Sequence, residues 1–255
     1  MLIFITAVTL SSCQKVINLQ LNSTSPQIVI QGNIYNESGP YTVTISKTVD
    51  FDQSNAYPPV LGALVIISDD HGTSDTLIEK PKGTYVTSKL RGIAGYTYSL
   101  TVKTGNTSFS SSCTMPEAVD IDSLYTETSF MDNKQLSIVF MDRANVENYY
   151  RIIEFKNSKK IEGFNVASDD LYKGKKITYK LMSMGNGTDS KISTGDYIII
   201  WLEALDKGAY EYFRTAEQDG SQSASPSNPT SNISNGALGY FNACSVTKKS
   251  IIVPK

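Results

Sequence analysis

Histidine and tryptophan each occur once in this chain, and cysteine three times in 255 residues. A Ser-His-Asp or Cys-His nucleophile needs a histidine to carry the proton. The only candidate base is therefore His71, and it sits in "SDDHGT", among residues that favour a turn. The same scarcity leaves no clustered Cys/His set for zinc, and HExxH, GxSxG and P-loop patterns are missing. No apolar run reaches the roughly 20 residues that a bilayer-spanning helix takes. Charge is balanced, with 23 Lys and Arg against 25 Asp and Glu. Without a long block of one sign there is no electrostatic footprint for nucleic acid. Neither a cofactor nor a metal nor catalysis is expected.

Tyrosine is abundant, at 15 residues, a balance that favours β-strands. "YTVTISKT" sets Tyr41, Val43 and Ile45 on one face and Thr42, Thr44 and Ser46 on the other, the period of a half-buried strand. "GYTYSLTVKTGN" repeats it with Tyr96, Tyr98, Leu100 and Val102 inward. "GALVIISDDHGTSDTLIE" reads as two strands around a turn at Asp70, His71 and Gly72. Short strands separated by turn residues, ending in "TSFSSSC", predict an immunoglobulin-like antiparallel sandwich over residues 27–118. A proline and a change of texture in "TMPEAVDIDS" place the boundary there.

Residues 119–255 are expected to form a second β-rich domain, from "KQLSIVFMD", "NYYRIIEFK", "KITYKLMSM", "DYIIIWLEALD" and a closing "ALGYFNACSV". One helix interrupts it near 207–219, where Ala209, Tyr212, Phe213 and Ala216 recur at helical spacing before Gly220. The fold class is thus all-β with a single helix.

The start of the chain has its own logic. "MLIFITAV" is the right length for the apolar region of a secretory signal, and Leu10-Ser11-Ser12-Cys13 resembles the lipobox of bacterial lipoproteins. Residues 1–12 then read as a signal peptide. Cys13 is the thiol that takes a diacylglyceryl group, and 13–26 form a tether to the folded body. Two or more acyl chains hold a protein on a bilayer, each buried methylene contributing roughly 0.8 kcal/mol. No Lys or Arg precedes Lys15, a departure from ordinary signals that a start codon placed too late would explain. With Cys13 acylated, Cys113 and Cys244 remain, and their pairing stays open.

The lipobox with "VINLQL", then "GPYTVTISKT", "VLGALVIISDDHGT", "IAGYTYSLTV", "TMPEAVDIDSL", "YEYFRTAEQDG" and "NPTSNISNGALGYFNACSV" follow one another in order along nearly the whole chain. Together they resemble a family of Bacteroidetes outer-membrane lipoproteins known as a domain of unknown function (DUF4249-like). The resemblance implies a lipid-anchored protein of the outer membrane that works beside a TonB-dependent receptor, and it implies no reaction. The periplasmic or surface face stays undecided.

Candidate binding residues fall in Gln218–Gly236, a Ser/Asn/Pro stretch between helix and closing strand. Asn228, Asn232 and Asn235 offer amides there, Pro226 and Pro229 limit the entropy lost on ordering, and Tyr240 follows. Tyr149, Tyr150, Tyr240 and Phe241 form either an aromatic platform or core; Trp201 is expected in the core. Asp69-Asp70, Asp169-Asp170 and Glu203 are the carboxylates a glycoside hydrolase would need, although adjacent Asp pairs commonly bond their own turns. Asp50 and Asp52 with Asp69-Asp70 lack EF-hand spacing for calcium. Asp75-Thr76-Leu77 and Asp122-Ser123-Leu124 resemble a phylum signal for O-glycosylation. The expected function is a non-catalytic binding or accessory subunit of a TonB-dependent nutrient uptake system, with the ligand unnamed. A surface adhesin or envelope structural protein comes second, and a carboxylate-dependent hydrolase third.

Overall fold

A computed structural model describes residues 25–49, 57–128, 134–163, 165–170, 172–181, 191–220 and 227–255. The expected signal peptide, Cys13, most of the expected tether, Asp50, Asp52 and Pro226 lie outside the described residues.

The first half supplies β1 (Ile28–Tyr35), β2 (Thr42–Lys47), β3 (Leu64–Asp69), β4 (Ser74–Thr76), β5 (Ile78–Lys80), β6 (Thr84–Val86), β7 (Thr97–Thr104) and β8 (Thr107–Thr114). The second supplies β9 (Ile121–Thr128), β10 (Lys134–Met141), β11 (Tyr149–Lys156), β12 (Lys159–Lys160), β13 (Val166–Ser168), β14 (Lys176–Leu181) and β15 (Tyr197–Leu205). The helix α1 (Lys207–Gly220) and the long strand β16 (Leu238–Ile252) complete the chain. The class is all-β with one helix, as expected.

One sheet runs β12-β11-β15-β16-β1-β2-β6-β5, with β13 also on β11; two smaller sheets, β4-β3-β7-β8 and β14-β10-β9, complete the layers. The long sheet depends on β16. Its first half pairs with β1 from Leu238 to Cys244, and its second half pairs with β15 from Ser245 to Ile252. Fifteen residues at about 3.3 Å each make a strand roughly 50 Å long, so two sandwiches lie end to end along it.

The first core gathers Ile30, Ile34, Val43, Ile45, Tyr85, Tyr98, Leu100 and Val102, and takes Ile233, Ala237, Phe241 and Ala243 from the end of the chain. The second gathers Leu136, Ile138, Phe140, Tyr150, Ile152, Ile198, Ile200 and Leu202. Against the expected division at residue 118, the small sheets change over between Thr114 and Ile121, while the first core crosses that division to collect β16.

The β1–β16 pairing is parallel, a departure from the antiparallel pattern read from hairpin turns. It is a contact between the two ends of the described chain, for which local sequence carries no signal. Gly239 makes the close approach possible: its φ is +96°, and a Cβ there would collide with the Ile30 carbonyl.

The "DTLIE" arm of the expected hairpin also divides. Asp75 remains on β4, opposite Ile67. Beyond Leu77 the chain joins the long sheet as β5, opposite β6. Asp75 explains the departure, because its buried carboxylate accepts from the backbone N–H of Ser88, Lys89 and Leu90 and from Ser88 Oγ, at 2.8–3.0 Å. Burial works against its charge, but those donors outweigh it and hold the carboxyl below its ordinary value.

The tyrosine count acquires a meaning here. Tyr85 donates to the Val60 carbonyl and accepts from Ala63 N, Tyr98 donates to the Arg91 carbonyl and accepts from Ile93 N, and Tyr150 donates to Asp142 Oδ1. Each ring fills core while its hydroxyl fixes an adjoining loop. Tyr96, expected inward, is half-buried instead and stacks on His71 at 3.7 Å between centroids.

Candidate functional site

The outer face of the long sheet carries α1 where the two sandwiches meet. Asp206 caps the helix, its Oδ1 accepting from Ala209 N at 2.9 Å. Ala209 and Phe213 are fully buried against Leu205, Cys244 and Val246, with Tyr35, Tyr149, Trp201, Tyr210, Tyr212 and Tyr240 packed around them. Burying a phenylalanine contributes roughly 1.5–3 kcal/mol, enough to seat a short helix. Tyr149 stacks on Tyr210 at 4.6 Å, and Tyr240 meets Tyr212 at 4.7 Å and Phe213 at 4.8 Å.

Beneath the helix lies a buried ion pair. Arg151 and Glu203 stand opposite each other on β11 and β15. Arg151 Nη1 is 3.4 Å from Glu203 Oε2, with the two side chains 8% and 0% exposed. That is long against the 2.7–2.9 Å of a good charge-assisted bond. The guanidinium also sits 3.9 Å over the Phe213 ring, where the ring face attracts it.

Among the described residues, four buried side-chain polar atoms have no hydrogen-bond partner. Three of them are here: Arg151 Nε, Glu203 Oε1 and Asn242 Oδ1. Burial pushes Glu203 above its ordinary value, opposed by Arg151. Burial likewise raises Tyr35, with Glu203 adding to it, and raises Tyr240, opposed by the hydrogen bond from Asn33. One donor and two acceptors are thus left unpaired inside an aromatic wall, whereas buried polar atoms are ordinarily hydrogen-bonded.

The residues anticipated from sequence are distributed around this junction. Tyr240 is half-buried in the aromatic wall, its hydroxyl 3.2 Å from Asn33 Nδ2. Asn232 pairs both ways with the Phe241 backbone, donating to its carbonyl at 2.8 Å and accepting from its N–H at 2.9 Å. Asn235, in the left-handed region at φ 58°, donates to the Ser108 carbonyl at 3.3 Å. Asn228 is exposed. Two of the three amides therefore fasten the 231–237 segment to its neighbours, and the three do not converge on one spot.

Tyr150 and Phe241 belong to the cores, while Tyr149, Tyr240 and Trp201 face α1 or the open sheet. Trp201, expected in the core, is half-buried, flanked by Phe155 at 4.9 Å and capped by Lys248 Nζ at 4.2 Å. Sequence reasoning missed Arg151, Asn242 and Tyr35, and weighed Glu203 only as a hydrolase carboxylate. The available signal was one Arg and one Glu inside the apolar runs "YYRIIEF" and "IIIWLEAL".

Other reactive groups are engaged locally. Asp69 Oδ1 accepts from His71 N and Thr73 N, and Asp70 Oδ1 from Thr97 N. Asp170 Oδ2 accepts from Ser168 Oγ, and Asn148 Nδ2 approaches Asp169 Oδ2 at 3.4 Å. Cys113 and Cys244 are both free thiols, buried and pushed well up by that burial. Among the described residues no group of three His, Cys, Asp or Glu side chains is placed to hold a metal ion, and no helix is long and apolar enough to cross a membrane.

No curated relative matches the chain. The sequence profile of one family, described as a domain of unknown function (DUF4249), matches residues 14–250. The match runs from the residue after Cys13 to two residues before the end of β16 and so covers both sandwiches and the helix-covered junction. The chain belongs to the DUF4249 family.

Proposed function

We propose that the protein is a lipid-anchored binding or accessory subunit of the bacterial outer membrane, without catalytic activity of its own, acting beside a TonB-dependent receptor in nutrient uptake. The observation that carries this reading is the lipobox Leu10–Cys13 standing immediately before the family match, which begins at residue 14. A signal cleaved before Cys13 leaves a mature chain that starts one residue before the family match. The non-catalytic part rests on the use made of the reactive side chains. His71 is half of a turn stack, the two described thiols are buried, and the Asp pairs accept from neighbouring backbone and side-chain donors.

The test is made on native membranes. Mass spectrometry should find an acylated N-terminus at Cys13, and Cys13→Ala should leave an unprocessed or soluble form. Purification in mild detergent should bring a receptor barrel with the wild-type protein. A native protein that keeps residues 1–12 and carries no lipid overturns the anchor. An acylated protein that purifies without a barrel overturns the receptor partnership and leaves an adhesin or envelope structural protein.

A further inference from the structure

At the far end of the second sandwich four chain segments border an open cavity of about 410 Å³, lined by Thr128, Lys134, Lys191, Ile192, Ser193, Thr194 and Lys255. We propose that this cavity is a binding site for a soluble small molecule bearing phosphate or sulfate groups.

The site is assembled from the ends of elements. Thr128 closes β9 and lies opposite Lys134, the first residue of β10. The 191–196 turn is tied to the tail after β16, Gly195 N donating to the Val253 carbonyl and Val253 N to the Asp196 carbonyl, both at 2.9 Å. Lys134 Nζ donates to the Pro254 carbonyl at 2.6 Å, and Thr194 Oγ1 reaches the same oxygen at 3.3 Å. Lys156 Nζ holds the Lys191 carbonyl at 2.9 Å. The backbone of the cavity is thereby fixed.

The lining presents three ammonium groups, three hydroxyls and one apolar wall, with no carboxylate side chain among the described residues. The side-chain ammonium groups of Lys191 and Lys255 have no ion-pair or hydrogen-bond partner among those residues, whereas the nearby described carboxylates are occupied. Glu127 pairs with Lys180 at 2.9 Å, and Asp196 accepts from Ser193 N and Asn157 Nδ2. The described lining side chains are cationic or neutral, a setting that favours a polyvalent anion. Lysine meets oxyanions as a compact point charge with rotatable donors, and hydroxyls complete the coordination of the remaining oxygens. A volume of this size lies in the range of small-molecule sites and exceeds what one inorganic phosphate fills.

Position selects a soluble ligand over a lipid headgroup. The described chain begins beside the N-terminal end of β16, where Val29 faces Leu238, and the cavity lies at the other end, about 50 Å away along the strand. Anchoring through Cys13 turns the cavity away from its own bilayer. That selection rests on the proposed anchor; the anion site itself does not.

The full-length protein is titrated calorimetrically with pyrophosphate, glucose 6-phosphate and sulfate in chloride buffer, and in a separate arm with phosphatidylglycerol vesicles. Saturable binding of pyrophosphate or glucose 6-phosphate with Kd below about 1 mM is expected. Lys191→Gln with Lys255→Gln should weaken it about tenfold or more, with the melting curve unchanged because neither side chain holds the fold. Lys103→Gln, an exposed lysine on β7, should leave Kd as it is. Absence of saturable binding by any of the three soluble anions, or binding indifferent to the double substitution, overturns the site. Substitution-sensitive binding to vesicles alone overturns the choice of a soluble ligand.

Discussion

Asp75 and Glu203 are both almost wholly buried carboxylates on strands, at 1% and 0% exposure, and the protein treats them in opposite ways. Asp75 accepts from three backbone N–H groups and a serine hydroxyl, and its pKa is lowered. Glu203 has one long contact to Arg151 and an oxygen with no partner, and its pKa is raised. A buried charge is compatible with a fold when donors surround it, and then it acts as a structural fastening. A buried pair that leaves its own atoms unsatisfied is weak evidence for stability, and the junction under α1 is where such atoms collect.

The largest test of that difference is Arg151→Met. Removing one partner leaves Glu203 as an uncompensated buried acid, and the expected loss is about 3–5 kcal/mol in urea denaturation. A loss below 1 kcal/mol would mean that solvent already reaches Glu203.

Next comes Asp75→Ala, which strands the N–H groups of Ser88, Lys89 and Leu90. The expected loss is about 3 kcal/mol. The pH dependence follows from the lowered pKa. The carboxylate's contribution is present above the unfolded Asp value and disappears as pH falls through the lower folded one. Asp75→Asn should therefore flatten the acid limb of the wild-type stability curve below about pH 4.

Glu154 sharpens the contrast, because burial raises it from 4.5 to about 7 with Lys156 opposing. Its neutral form stabilises the fold fully below the unfolded value, and this is lost as pH rises from about 4.5 to 7. At about 1.4 kcal/mol per unit, the loss is at most about 3.5 kcal/mol. Thermal melts of Glu154→Gln should lose this slope and exceed wild type at pH 8. A variant curve parallel to wild type would remove Glu154 as its source.

The smallest change in stability is expected where the most polar atoms are removed. Arg151→Met combined with Glu203→Leu should lie within about 1 kcal/mol of wild type, and a cost near that of Arg151→Met alone would show the pair to be a fastening like Asp75.

Much of the scaffold was legible because it is local. The alternation of Tyr41, Val43 and Ile45, the turn at His71 and the helix carrying Ala209 and Phe213 are all written in periods of two or 3.6 residues, and each is found. The pairing of β1 with β16 was not, since it joins residues more than 200 apart, and the period of a strand does not report its partner. The Arg151–Glu203 pair was hidden for a related reason: each is a single charge in an apolar strand, and only the antiparallel register of β11 on β15 brings them face to face. Asn232 illustrates the converse. An amide in a Ser/Pro/Asn stretch looks available to a ligand, yet its donor and acceptor are both spent on Phe241.

The parallel pairing at the heart of the sheet has a mechanical consequence. A chain held at its beginning and loaded at its far end pulls β1 toward the tether and β16 the other way, so the two strands are drawn past each other lengthwise. From Val29 to Tyr35 the ladder then bears the tension as a set in shear, and its bonds must give way together; a hairpin pulled from its open end yields one bond after another. Forced extension is governed by the unfolding rate, not the equilibrium. In single-molecule pulling, the rupture force between residue 25 and residue 255 should exceed that between residue 25 and Lys47, which unzips β1 from β2. For a chain held at its first residues, that places the resistance to extension in seven residue pairs at the centre of the molecule.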